Sequence, residues 1–470
     1  MIITLSSFTN EEKKEFIKFL ESPYFNSDKD FISIYNYILK NDLIQDDDII
    51  QKYGKEKIEK FNILVEKYVS QKEFEKDKNS YLMYLLSGLK SREVPKRFKY
   101  LLSRYRKHFE NTYKRDENYY SNKISIENEY YNFFLDEFKF DYPVVLDEIS
   151  ETIEMNFYFY YLHNVHNYIV HRFYAGKKFN FNLKFYDQIM KDISKNEKLV
   201  SEKHPNVYII YLAVKIVDNL YEKKDANDLI EKLKHYLQAN LKKFDKTQLY
   251  YYYGYVINSY QLIIINTNDS EIKKKLIEIY KLTDLENITY INNKISKDKL
   301  NNIVYNAIAT DDIEWLEYFF KKHDRQIKNN IKENDLRFFY AKISFAKKDF
   351  GNTLANLSKV NTKEHIKYFN VKFLLIKSHY ELNNFVTIMD EVENLRKFSE
   401  RNKNLAERHH NIIHSFRQNI KELIKLNEMK KNRNNSFYEE VNFFINHIKT
   451  STEFIPDKKW FTEKLQELIK

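Results

Sequence analysis

The stretch LRFFYAKISFAKKDFGNTLANLSKV, residues 336–360, is followed by a second copy of the same pattern, VKFLLIKSHYELNNFVTIMDEVENL, at residues 371–395. Phe350 of the first copy aligns with Phe385 of the second. The pattern of each copy predicts a helix, a tight polar turn and a second helix. Such a unit cannot bury its apolar face alone, so copies stack on their neighbours. The stretch therefore predicts a helical repeat array.

The composition of the whole chain also favours an all-α fold. Among 470 residues there are only 5 Gly and 5 Pro. Hairpins and strand-to-helix loops need these residues, whereas Asn, Asp, Lys and Ser are sufficient for turns between helices. The 39 Tyr and 36 Phe are typical of bulky packing at helix interfaces. Stacking platforms for nucleotide bases are the alternative interpretation.

Helical periodicity divides the chain into four predicted segments. We expect a right-handed α-solenoid of helix pairs that is preceded by an N-terminal helical domain. The polar run at 425–436 is expected to form a loop near the C-terminal end. The segments are a helical domain with a basic helix (1–115), an irregular aromatic-rich helical segment (116–204), the repeats (205–400) and a C-terminal helical cap (401–470).

The repeated unit resembles the tetratricopeptide repeat. Its turn Lys348-Asp349-Phe350 is similar to that family's Gly-Asp-Tyr turn, and Ala341 matches the small position of the first helix. The resemblance implies that a concave face lined by first helices binds a peptide or protein partner. It would place six side chains in that groove: Phe338, Lys342, Phe345, Phe373, Lys377 and Tyr380.

Two lysines stand at equivalent positions of this predicted groove. Lys342 and Lys377, one repeat apart, could hold a carboxylate or a phosphate. The alternative is that both lysines are merely solvated. The N- and C-terminal sequences also resemble those of a family of uncharacterised bacterial α-helical proteins, a resemblance that implies no activity. Its motifs are Phe8-Thr9, Glu15, Phe19-Leu20, Ser22-Pro23-Tyr24-Phe25-Asn26, Trp460, Leu465 and Leu468.

Charge is unevenly distributed along the chain, whose formal net charge is +10. Residues 1–50 are acidic, whereas residues 90–115 contain ten basic and two acidic residues. A long helix predicted within that basic stretch has one apolar stripe and a basic opposite face. Its candidate residues for binding nucleic acid or another anionic partner are Arg92, Lys96, Arg97, Lys99, Arg104, Arg106 and Lys107.

The basic stretch has several interpretations. It can track the phosphates of a nucleic acid or of anionic lipid, or its charges can pair with the acidic residues 1–50. A further alternative joins the basic N-terminal domain to a peptide-sensing repeat array, as in bacterial pheromone-sensing regulators. We expect the chain to be a protein-interaction scaffold first and a nucleic-acid-associated protein second.

Chemical catalysis is the weakest hypothesis. The sequence contains no Gly-rich phosphate loop and no Gly-x-Ser-x-Gly elbow. We therefore predict a non-enzymatic protein with no cofactor. We also predict no metal site, although two histidine groups have a spacing that permits metal binding. These are the pair His163 and His166, and the set Glu407, His410 and His414.

The chain has no Cys, which suits a reducing compartment. Its first residues, MIITLSSFTNEEKKE, lack the basic and apolar regions of a signal peptide. The longest apolar stretch, at 255–265, is too short to cross a bilayer. We therefore expect a soluble cytoplasmic protein without a membrane span.

Overall fold

The computed structural model describes residues 2–41, 45–111, 119–136, 143–175, 183–362, 364–451 and 454–470. Within these ranges the chain is helical and forms no β-strand, so the predicted all-α class is confirmed. The chain divides into two compact units, Met1–Tyr161 and Leu162–Lys470. This division falls inside the segment predicted at 116–204. The predicted boundary at residue 115 lies outside the described residues.

Unit 1 (Met1–Tyr161) contains eight helices and the first part of a ninth in the ranges described. The helices are α1 (Ile2–Ser6), α2 (Asn10–Glu21), α3 (Asp30–Leu39), α4 (Asp46–Tyr53), α5 (Lys55–Lys76), α6 (Lys78–Ser91), α7 (Pro95–Asn111), α8 (Tyr119–Asp136) and α9 (Pro143–Ala175).

Local sequence determines where α2 begins and ends. The Glu12 backbone N–H donates to the Thr9 hydroxyl oxygen at 3.1 Å, and the Thr9 N–H donates to the Glu12 carboxylate at 2.8 Å. This reciprocal capping satisfies two donors that the first turn would otherwise leave unpaired. Ser22 stops the helix because a residue before Pro23 avoids the α conformation. The apolar side of α2 then packs into the core of unit 1 around Phe16.

Unit 2 (Leu162–Lys470) contains the rest of α9 and sixteen further α-helices in the ranges described. These are α10 (Tyr186–Lys195), α11 (Glu197–Lys203), α12 (Pro205–Tyr221), α13 (Asn227–Ala239), α14 (Lys246–Thr267), α15 (Ser270–Leu285), α16 (Lys297–Ala309), α17 (Ile313–Lys322), α18 (Asp324–Asn330), α19 (Glu333–Ala346), α20 (Phe350–Leu357), α21 (His365–Glu381), α22 (Phe385–Arg401), α23 (Glu407–Lys431), α24 (Phe437–Thr450) and α25 (Lys458–Ile469).

Consecutive helices of unit 2 pack as pairs, and neighbouring pairs touch. Helix α12 packs against α13 and also against α14. Helix α19 packs against its partner α20, against α16 on one side and against α21 on the other. Helix α21 in turn contacts α22 and α23. First helices therefore lie beside first helices from α16 to α23.

Five helix pairs of unit 2 are joined by the same backbone turn. The second residue beyond the end of each of these first helices has a left-handed conformation, with φ between 49° and 64°. The next N–H then donates to the carbonyl five residues earlier, at 2.8 to 3.0 Å. This is the Schellman arrangement, which satisfies the last carbonyls of the helix and reverses the chain. The left-handed residues are Lys223, Asp311, Lys348, Asn383 and Arg433.

The aligned aromatic residues of the two repeat copies make equivalent contacts. The rings of Phe345 and Phe350 lie 5.5 Å apart across the α19–α20 turn. The rings of Tyr380 and Phe385 lie 5.8 Å apart across the α21–α22 turn. Each contact holds the second helix of a pair against the end of the first helix.

The C-terminal region differs from its prediction in one element. Helix α23 extends to Lys431, so most of the loop expected at 425–436 is helical and only residues 432–436 connect it to α24. The run KLNEMKK consists mainly of strong helix formers, which outweigh its polarity. The longer α23 packs against both α24 and α25 and closes the core of this end.

None of the helices in the described ranges combines the length and hydrophobicity needed to cross a bilayer.

Replacing Phe416 by Ala is expected to lower the free energy of unfolding of unit 2 by about 3 to 5 kcal/mol. The Phe416 ring is fully buried and stacks on Phe373 with ring centroids 3.9 Å apart. Urea unfolding followed by circular dichroism measures the loss. Phe443→Ala is the matched control because Phe443 is 74% exposed, and it should change the free energy by less than about 0.5 kcal/mol. Equal losses of unfolding free energy in the two variants would contradict the buried packing of Phe416.

Candidate functional site

Four lysines from successive contacting helices of unit 2 each lie over an aromatic ring. We call Lys273 of α15, Lys299 of α16, Lys342 of α19 and Lys377 of α21 the lysine row. The Nζ atoms lie 4.2 to 5.7 Å from the ring centroids of Tyr305, Tyr250, Phe338 and Phe345, in that order. Such cation–π contacts contribute about 0.5 to 2 kcal/mol each, more as water is excluded.

Three members of the lysine row have only neutral hydrogen-bond acceptors, and the first is Lys273, whose Nζ donates to Asn268 Oδ1 at 2.5 Å. Lys299 Nζ donates to the Thr289 carbonyl at 2.8 Å, and Lys342 Nζ donates to Asn301 Oδ1 at 3.1 Å. Neither forms an ion pair in the part of the chain that the structure describes. A half-buried ammonium without a carboxylate is costly, because desolvation is not repaid by a counter-charge.

The cost of desolvation is reflected in the lowered pKa values of the Lys299 and Lys342 ammonium groups. Burial lowers the pKa of Lys299 to about 8. Burial also lowers the pKa of Lys342 to about 8, with the nearby charge of Lys377 acting in the same direction and that of Asp457 opposing it. Groups with shifted pKa values concentrate at functional sites, so Lys299 and Lys342 each mark a candidate binding position on unit 2.

Lys377 is the one member of the row with a carboxylate partner in the described ranges. Its Nζ donates to Asp457 Oδ1 at 2.6 Å, across 80 residues of sequence. Asp457 precedes α25, and the charge of Asp457 also raises the pKa of Tyr305, in addition to the effect of burial. The carboxylate therefore lies near side chains of three first helices, α16, α19 and α21.

The residues expected in an open groove have a different environment. Phe338 is almost fully buried, and so are three residues of α21, namely Phe373, Lys377 and Tyr380. Lys342 and Phe345 are half-buried.

The α21 residues are covered by the C-terminal helices. Phe373 stacks on Phe416 of α23, and the Tyr380 ring meets the Trp460 ring of α25 at 5.4 Å. The expectation that α21 faces an open groove is therefore corrected. The physical reason is that α23 and α25 bury their apolar residues on this helix.

The sequence interpretation selected Lys342 and Lys377, which the structure brings together through Asp457. It did not select Lys273, Lys299 or Asp457. Lysine is abundant on every helix surface of this chain, so no local signal separates these lysines from solvated ones. Asp457 stands before a predicted helix, where an Asp is ordinarily a cap.

The basic helix predicted in the N-terminal segment is α7 of unit 1. Its side chains Lys96, Arg97, Lys99, Arg104 and Lys107 are exposed, and so is Arg92, whose guanidinium donates to the Gly88 carbonyl at 2.9 Å. Arg97 lies over the Tyr100 ring at 5.2 Å. The exposed lysines and arginines of α7 remain candidate residues for an anionic partner.

Arg106 is the exception among the basic candidates. It is half-buried and donates to Glu127 at 2.9 Å and to Glu148 at 3.0 Å. Burial raises the pKa of the Glu127 carboxyl, and the Arg106 charge opposes that rise. Arg106 is therefore committed to a buried ion pair and does not present its guanidinium to an external anion.

The pairing proposed between the basic stretch and residues 1–50 differs from the ion pairs described for Glu15, Asp28, Asp30, Lys90 and Arg106. Glu15 pairs with Lys72 at 2.8 Å, and Asp28 and Asp30 pair with Lys57, so these acidic side chains contact α5. Arg106 and Lys90 instead pair with carboxylates of α8 and α9.

The histidines weighed as metal ligands occupy other roles. His166 is buried with its ring centroid 4.7 Å from that of Tyr255, and burial lowers the pKa of His166 to about 4. His410 Nδ1 lies 2.7 Å from the Ser399 hydroxyl. In the ranges that the structure covers, no three His, Asp or Glu side chains are arranged to hold a metal ion.

Comparisons with protein-family models, with curated proteins and with solved structures find no match for this chain.

Replacing Lys299 by Met should raise the free energy of unfolding by about 1 to 3 kcal/mol at pH 7. The folded-state pKa lies below the ordinary 10.5, so the unfolded chain holds this proton more tightly. The penalty is complete below pH 8 and is released as the pH rises from 8 to 10.5. Urea unfolding at pH 7 and pH 9.5 should therefore show the advantage of Lys299→Met shrinking.

The control for this variant is Lys347→Met. Lys347 is an exposed lysine paired with Glu317 at 2.6 Å, so its loss should change the free energy by less than about 1 kcal/mol at either pH. A Lys299→Met protein that is no more stable than wild type at pH 7 would contradict the conclusion that Lys299 is a half-buried cation without a counter-charge.

Replacing Arg106 by Met should lower the free energy of unfolding of unit 1 by about 3 kcal/mol near pH 7. The change leaves the Glu127 carboxylate, 1% exposed, without its cation. The pKa of the Glu127 carboxyl is raised by burial, so the variant loses stability as the pH rises above about 4.5 and is least affected in acid. Arg104→Met is the exposed control, and unfolding curves at pH 4.5 and 7 separate the two.

Proposed function

We propose that this chain is a non-enzymatic interaction scaffold, an α-solenoid of tetratricopeptide-like helix pairs that binds a protein or peptide partner. The proposal is supported by the packing of each pair on the next and by the shared Schellman turn. Units that bury their apolar faces only on their neighbours form extended arrays with a long binding surface. In this proposal α23, α24 and α25 cap the array.

One observation carries the choice of binding surface. Lys299 and Lys342 remain half-buried on aromatic rings with neutral acceptors only, at a cost in stability. Hydrophobic residues at both positions would be more stable, so the lysines are best explained by a negatively charged partner group. The surrounding rings of Tyr250 and Tyr305 would contribute apolar contact area around that charge.

A peptide-display selection against the full chain tests the proposal. The wild-type protein should enrich peptides that carry a carboxylate beside apolar residues. The Lys299→Met/Lys342→Met protein should bind the enriched peptides at least tenfold more weakly, because each charge-assisted hydrogen bond contributes about 1.5 to 3 kcal/mol. Lys347→Met, which removes an exposed lysine, should bind them like wild type. Enrichment of no motif, or equal binding by both proteins, would overturn the proposal.

A second candidate function rests on the exposed basic face of α7. Arg97 and Arg104 are both exposed there, on a stretch with ten basic residues, and no acidic partner of either lies in the ranges described. Phosphate binding by such a surface is salt-dependent, because each contact releases a condensed counter-ion. We propose nucleic acid as the alternative partner of unit 1.

Filter binding of a 20-nucleotide duplex or single strand to the full chain measures this alternative. Arg97→Glu/Arg104→Glu should weaken binding at least tenfold and make it less dependent on salt. The control is Lys55→Glu/Lys60→Glu, an equal charge change on the exposed face of α5. Unchanged binding in the α7 variant rules out that surface.

A further inference from the structure

The residue that precedes α25 is an aspartate that does not cap its own helix. Asp457 has φ 55° and ψ 30°, a left-handed conformation that costs a non-glycine residue about 1 kcal/mol. Elsewhere in the chain, Asp77, Asp245, Asp269 and Asp349 all accept hydrogen bonds from the first turn of the helix they precede. The Asp457 carboxylate instead bonds Lys377 at 2.6 Å.

Apolar anchors stand on both sides of this carboxylate. Ile455 and Pro456 are buried before it. After it, Trp460 is 7% exposed, and its indole Nε1–H donates to the Glu381 carboxylate at 2.7 Å. Residues 455–460, which we call the C-terminal strap, therefore lie on α21 as an anchored peptide with one central carboxylate.

The site remains short of negative charge with the strap in place. Lys342 and Lys377 bring two positive charges: the charge of Lys377 lowers the pKa of Lys342, and the charge of Asp457, which pairs with Lys377, opposes that effect. The Lys342 ammonium keeps a neutral acceptor, Asn301, as its hydrogen-bond partner. A partner segment with a second carboxylate would neutralise the charges of both lysines. The strap has one carboxylate and pairs only with Lys377.

We propose that the Lys342–Lys377 site recognises a segment of a partner protein in which an aspartate follows apolar residues, and that the C-terminal strap occupies this site when the partner is absent. This inference rests on the proposed interaction function and names the chemistry of the ligand. In the strap, an apolar residue and a proline precede the aspartate. We expect a partner segment with the same order of residues to fit the site.

The test is binding of a labelled peptide to the full chain, measured by fluorescence anisotropy. The probe is FIPDKKWF, residues 454–461 with both ends blocked. Asp457→Asn removes the one carboxylate of the resident strap, so this variant should bind the probe at least tenfold more tightly than wild type. Replacing the Asp of the probe by Asn should reverse the gain, and so should adding Lys377→Met to the Asp457→Asn protein.

Asp312→Asn provides a matched control. Asp312 also precedes a helix, makes no side-chain cap and pairs with a lysine of a neighbouring helix, Lys281. This variant should bind the probe no better than wild type. Equal gains in the two variants would show that loss of any such ion pair loosens unit 2, and would overturn the assignment.

Other outcomes separate this inference from the proposed function. If peptides selected by display need Lys342, but FIPDKKWF fails to bind Asp457→Asn, the strap is not a stand-in for the ligand and only this inference fails. If neither kind of peptide binds, the proposed function fails as well. If Asp457→Asn dimerises on size-exclusion chromatography and binds no peptide, the site is covered by another copy of the chain, which also overturns the assignment to a partner protein.

Discussion

The turn that ends each first helix is the constraint on which unit 2 depends. A helix pair buries its apolar stripe only if the second helix runs back along the first, and the left-handed residue at the turn imposes that reversal. Glycine ordinarily supplies this conformation, but the chain has only 5 glycines. Lys223, Asp311, Lys348, Asn383 and Arg433 adopt it instead, each at a cost of about 1 kcal/mol. The hydrogen bonds of the turn and the ring contacts beside it offset that cost.

Much of this architecture follows from local sequence. The 3.6-residue periodicity predicts the pairs from α12 to α22, and the alignment of Phe345–Phe350 with Tyr380–Phe385 predicts equivalent contacts that the structure contains. The capping box at Thr9 and the break before Pro23 are equally local. Each of these signals lies within about ten residues of the structure it determines, which is why one sequence is sufficient to find them.

The site depends on distant contacts, and there the sequence is less informative. Lys377 meets Asp457 across 80 residues, and Arg106 meets Glu148 across 42. No periodicity specifies which charged side chain of a helix surface will be covered by another helix. From the sequence alone, the residues of α21 are expected to be exposed. The sequence does not specify which side chains of α21 the apolar side of α25 covers in the folded chain. Burial then divides similar lysines into solvated ones and those of the lysine row.

Two features that lower the stability of the fold lie at the same surface. Their occurrence together is the strongest argument for a function there. A half-buried ammonium without a counter-charge and an aspartate held in a left-handed turn are each less stable than simple alternatives, such as Met at Lys342 or Gly at Asp457. Either one alone could be tolerated as an isolated defect. Together they place a carboxylate between α16, α19 and α21, where it offsets only part of the positive charge. A surface that keeps an incomplete charge balance at a cost in stability is suited to an exchange between an internal segment that contains an aspartate and an external one.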